Sequence, residues 1–164
     1  MTSPVFQGRL AILLSLTSAL ALTACGGGDD ANDAPEETRA QDSRQFAVDA
    51  ARLPFTALPD TPEADRWWGE LQGAGYRIEV PKNWNGMLVL HAHGYAGTGP
   101  ALTVSDPGIR AHLVRQGYAW AASSYSKNYY DVRAGVEDTN ALALAFQRIA
   151  AQNGRTLAAP TKTY

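Results

Sequence analysis

The chain has 164 residues, a formal charge of −2 and 45% hydrophobic residues, an ordinary globular composition. With the N-terminal leader and linker set aside, about 120 residues remain for a core, enough for one small domain. Its basic residues are scattered, giving no patch for nucleic-acid phosphates, and its single cysteine, Cys25, excludes an intrachain disulfide.

In chain order, Arg9 precedes the apolar stretch Leu10 to Leu22. That stretch is short for a membrane span and has the length of a signal-peptide core. It ends in Leu22-Thr23-Ala24-Cys25, which resembles a bacterial lipobox. The resemblance implies a signal peptide over residues 1–24 and a lipidated Cys25 that anchors the protein to the cell envelope through acyl chains. Gly26 in place of an aspartate favours the outer membrane, if the cell has one. The other reading is an ordinary secretory signal with an incidental cysteine. Residues 25–45, rich in Gly, Asp and Glu, cannot bury enough surface to offset ordering entropy and read as a flexible acidic tether.

Residues 46–164 form the folded domain. Pro54, Pro59 and Pro62 break up its first part, and Phe46, Val48, Leu53, Phe55 and Leu58 are expected along its surface or rim. Asp65 to Leu71 and Ala74 to Val80 read as two strands around Gln72-Gly73. Tyr76, Ile78 and Val80 alternate with Arg77 and Glu79, the period of a half-buried strand. The turn signal Asn85-Gly86 leads into Met87 to Leu90, an apolar run without alternation, which suits a strand covered on both faces. Next comes His91-Ala92-His93-Gly94-Tyr95-Ala96-Gly97-Thr98-Gly99-Pro100, a loop where glycine lets backbone N–H groups approach a ligand. Such a loop at a strand end suits an oxyanion hole.

Asp106-Pro107-Gly108 reads as a helix start, with Ile109, Leu113 and Val114 on one face and Gly117 as the stop. Tyr118 to Ala122 is a second apolar strand, and strand–helix–strand at this spacing predicts a parallel crossover. A polar, tyrosine-bearing loop, Ser123 to Asp131, precedes the longest helix, Val132 to Gln152, with Leu142, Ala145, Phe146 and Ile149 on its apolar face. Thr161 to Tyr164 reads as the start of a further strand.

Val80-Pro81-Lys82-Asn83-Trp84-Asn85-Gly86 running into Met87 to Tyr95 resembles the front end of α/β-hydrolase fold serine hydrolases, over about Asp65 to Tyr164. The resemblance implies an α/β fold with an incomplete hydrolase sheet: an N-terminal antiparallel hairpin, then parallel strands with crossover helices. It implies that the Tyr95 N–H helps to bind the oxyanion, with His93, Gly94 and Gly97 shaping the loop. The activity implied is hydrolysis of an ester, with a peptide as second choice, through a covalent serine intermediate. The family's nucleophile sits in a Gly-x-Ser-x-Gly turn, on a strand beside Met87 to Leu90, followed by an acid and a histidine. This sequence contains no such turn. The expectation is therefore a fragment of a longer enzyme, inactive alone, with an open edge beside Met87 to Leu90 and poor solubility. The alternative is a non-catalytic envelope lipoprotein that binds a ligand or partner.

His91 and His93 lie two residues apart and could share a face, but a zinc site needs further ligands. The remaining histidine is His112 on a predicted helix, and Cys25 lies in the lipobox. The expectation is no metal and no cofactor, with His93 bonded to the loop backbone and His91 packed in the core. Ser123, Ser124 and Ser126 lack an oriented base and read as structural. Asp131, Glu137 and Asp138 read as charge at the start of the long helix, and the four tryptophans as packing residues.

Overall fold

A computed structural model describes residues 43–164. Cys25, the leader and most of the tether lie outside the described residues. The strands are β1 (Ala47–Val48), β2 (Ala64–Leu71), β3 (Ala74–Pro81), β4 (Met87–His91), β5 (Ala101–Leu102), β6 (Ala119–Ser123) and β7 (Lys162–Thr163). The helices are α1 (Arg110–Arg115) and α2 (Val132–Gln152), with a 3-10 turn at Ala50–Arg52. The class is α/β.

The main sheet has the order β2-β3-β6-β4-β7. β2, β3 and β6 pair antiparallel, while β6–β4 and β4–β7 pair parallel. β1 and β5 form a separate parallel pair. The β2–β3 hairpin turns through Gln72 at φ 52° and Gly73 at φ 81°. Two positive φ values in a two-residue loop match the right-handed twist of the strands. α1 joins β4 to the adjacent parallel β6, and α2 joins β6 to β7 on the far side of β4.

Each face of the sheet has its own core. On one, α2 lays Leu142, Phe146 and Ile149 against Trp67, Ile78, Leu88 and Ala121. On the other, Leu113 and Val114 of α1 pack with Leu53, Val104, Trp120 and Ala122. β6, between β3 and β4, is buried along all five residues, and its alanines leave room for close approach of the layers.

Four expectations are corrected. Leu53 is not a rim residue but 4% exposed in the second core. Glu79 does not face water: it is 1% exposed. It accepts hydrogen bonds from Arg110 Nε at 2.7 Å, Arg110 Nη2 at 3.1 Å and Trp120 Nε1 at 2.8 Å, which satisfy a carboxylate otherwise costly to bury. Ile109 is 59% exposed, and Arg110 beside it turns inward instead, because Glu79 awaits it there. Finally, the edge of β4 is covered. Lys162 and Thr163 pair with Met87 and Leu88, Tyr164 N donates to Leu88 O at 2.9 Å, and Leu90 N donates to Tyr164 O at 2.8 Å.

Candidate functional site

β4 carries the chain to the end of the parallel half of the sheet, and residues 92–100 leave it without regular structure. The segment between β6 and α2 holds this loop from outside. Tyr125 Oη donates to His93 O at 2.8 Å. Tyr129 donates its N–H to Gly97 O at 3.0 Å and its hydroxyl to Thr98 O at 2.6 Å. Asn128 Nδ2 donates to Gly99 O at 2.7 Å and Ala101 O at 2.9 Å. Tyr125 and Tyr129 themselves sit at φ 57° and 66°, a conformation uncommon for bulky residues and costing of order 1–3 kcal/mol each.

The His93 ring stacks on Tyr125, with centroids 3.9 Å apart and planes 22° from parallel. Its Nδ1 donates to Gly94 O at 2.7 Å. A carbonyl can only accept, so Nδ1 bears the proton, and in the neutral ring Nε2 holds the lone pair. Nε2 is buried with no hydrogen-bond partner among the described residues, as is Thr139 Oγ1. Burial pushes the Tyr125 hydroxyl above its ordinary pKa, against opposing effects of Thr139 and the His93 backbone. Behind Tyr125 lies Gly135 of α2, where a Cβ would come within 3.3 Å of the Tyr125 ring. The stacked order is thus α2, Tyr125, His93 and then the peptide leading to Tyr95.

These elements enclose a cavity of about 490 Å³, within the usual range for a small-molecule site. Leu90 and Ala92 lie at its sheet end, residues 93–96 form one wall, and the first two turns of α2 form the other. Tyr95 lines it and is 61% exposed. No described group accepts a hydrogen bond from the Tyr95 N–H. Gly94 also lines the cavity, and a Cβ there would meet nothing within 4 Å. Gly94 therefore leaves open space at the wall, and its φ is not in the left-handed region. Gly97 does have a positive φ, at 101°.

The remaining candidates fall elsewhere. His91 does not line the cavity. Burial lowers its pKa below 6.5, His93 nearby lowers it further, and Asp106 opposes. It is half-buried rather than part of either core. Among the described residues, no three His, Cys, Asp or Glu side chains are grouped to hold a metal. Ser123 Oγ accepts from Tyr125 N at 3.0 Å, while Ser124 Oγ accepts from Gly75 N at 2.9 Å and donates to Tyr125 O at 2.8 Å. Both hydroxyls are therefore committed to the turn that presents Tyr125. Asp131 caps α2 by accepting from Ala134 N at 2.9 Å. Glu137 pairs with Arg133, and Asp138 accepts from Ser126 N, so the two acids do not work together.

Sequence reasoning singled out Tyr95, His93, Gly94 and Gly97 but missed Tyr125, Asn128 and Tyr129, which hold them. The signal was present as three tyrosines within Tyr125 to Tyr130, a dense aromatic cluster in an otherwise polar loop. Compared with models of protein families, with curated proteins and with solved structures, the chain matches none.

Proposed function

We propose that this chain is the N-terminal part of a lipid-anchored serine hydrolase of the α/β-hydrolase family, cleaving esters and, as second choice, peptides. The observation that carries the reading is the Tyr95 N–H, without an acceptor, at the wall of a cavity beside the end of a parallel strand. When a nucleophile attacks an ester carbonyl, the oxygen becomes an alkoxide. A pre-placed N–H stabilises that charge more than the ground-state carbonyl, and one such donor is worth about 10²–10³ in rate. Pre-placement here comes from His93, Tyr125, Asn128 and Tyr129, which fix the loop by hydrogen bonds and stacking.

The topology supports the same reading. β7 runs parallel beside β4, the place that the family's nucleophile strand takes. Continued along β4, it leads toward the level of residues 91–95. The 164 residues contain no Gly-x-Ser-x-Gly turn, so alone they are expected to be inactive, and the nucleophile, acid and base lie downstream. Lipidated Cys25 would hold the enzyme on the envelope, favouring the outer membrane. The reading involves no cofactor, metal or nucleic acid.

The cavity also supports a second reading, a ligand-binding envelope lipoprotein, because a site of this size does not itself require a triad. Reading the gene past codon 164 separates the two. A Gly-x-Ser-x-Gly within roughly ten codons, the distance of a strand running straight into its elbow, is the expected result. A stop codon there, with a stable soluble domain, would favour the binder.

A further inference from the structure

The cavity has four tyrosines in its lining, and two of their rings are already engaged. Tyr125 stacks on His93, and Tyr129 carries the Arg44 guanidinium 3.5 Å from its centroid. Tyr95 and Tyr130 have no ring or cation partner among the described residues, and they are 61% and 84% exposed. The exposed Val132 and Val136 of α2 continue the same lining. Large apolar groups left in water around a cavity mark a surface that a ligand covers.

Few polar side chains in the wall are open to a hydroxyl-rich ligand. Asp131 is used as the α2 cap, Lys127 is already engaged, and the Thr139 hydroxyl and His93 Nε2 are buried, which leaves the exposed Asn140. A sugar would need several convergent hydrogen-bonding side chains, whereas an aromatic ring needs flat apolar contact and offset or edge-on partners. Tyr95 brings both features to one residue: its backbone N–H would serve the carbonyl oxygen of an aromatic carboxylic ester, and its ring is exposed in the lining of the same cavity.

We infer that the cavity takes substrates with an aromatic ring next to the carbonyl, held by Tyr95 and Tyr130, so that the ester cleaved is an aryl-carboxylic one. This rests on the proposed role of the cavity as the substrate site. Its test needs no catalysis and no charge on the ligand. Benzamide, cyclohexanecarboxamide and methyl glucoside are titrated into the full 164-residue chain, and dissociation constants are read from NMR shifts. Benzamide should bind about fivefold more tightly than its saturated analogue, the gain of one aromatic pair. Tyr130→Leu, at a residue too exposed to matter for folding, should shrink that difference while circular dichroism stays unchanged. Equal binding of the two amides, binding of neither, preference for the sugar, or a difference undiminished in Tyr130→Leu would each overturn the inference. An aromatic preference without a downstream Gly-x-Ser-x-Gly would leave the aromatic site standing and remove the hydrolase, and with it the cleaved ester. The converse result would do the opposite.

Discussion

His93 and His91 are two residues apart, yet their surroundings give them different work. His93 is held by Tyr125 on one face and by Gly94 O at its edge, so its ring fixes the peptide that leads to Tyr95. His91 stays at the end of β4, where burial favours its neutral form. The linkage has a definite sign. The folded-state pKa of His91 lies below the unfolded value of 6.5, so its share of stability is present above that pH. It is lost as pH falls through the lower folded-state pKa, when the unfolded chain binds the proton first. The melting temperature should therefore fall as the buffer is taken from about pH 8 to about pH 5. His91→Gln should flatten part of that slope, and a slope identical to wild type would show that His91 does not contribute. At this scale the sequence made His93 visible through the His-Gly pair. It marked Tyr125 only as one of a cluster of tyrosines, because neither its left-handed φ nor its stacking on His93 has a sequence signal.

The elements were legible where one face decides them. α2 has the expected bounds, and Leu142, Ala145, Phe146 and Ile149 are all buried, because a helix facing one core repeats its apolar positions at 3.6 residues. The β2–β3 hairpin was legible through Gln72-Gly73 and the alternation of Tyr76, Ile78 and Val80. The same alternation misled at Glu79. A carboxylate on the second face of a strand reads as solvent-facing unless its partner is known, and Arg110 lies 31 residues away. Leu53 was misread for a similar reason. The proline-rich arm around it is pinned to the sheet by Arg77, whose guanidinium donates to the carbonyls of Arg52, Leu53 and Pro54. Truncating Arg110 to alanine leaves Glu79 buried without its main cation, and should destabilise the domain by about 3–5 kcal/mol. Urea denaturation measures it. A loss below about 1 kcal/mol, the level of an exposed pair, would mean that the Glu79 pocket is wetter than its 1% exposure shows.

For the whole molecule, a mixed sheet with a helix layer on each face brings three separate stretches to one end: the loop after β4, the loop after β6 and the start of α2. None of them is a site alone. The order β2-β3-β6-β4-β7 puts β4 and β6 side by side, so the glycine loop of one meets the tyrosine loop of the other. The sequence showed the strand–helix–strand crossover that creates this neighbourhood. It could not show which side chains meet across it, because those contacts span about thirty residues of chain and depend on the register Leu88↔Ala119 to His91↔Ala122. If this architecture holds the Tyr95 N–H for a developing oxyanion, two substitutions at that one position separate the backbone donor from the ring. In the proposed longer hydrolase, kcat for an ester of an aromatic carboxylic acid is measured for Tyr95→Ala and Tyr95→Pro. Alanine keeps the N–H and proline removes it. Proline should lower kcat about 10²–10³-fold below alanine, with circular dichroism and melting unchanged. Equal kcat values for the two variants, both folded, would contradict it.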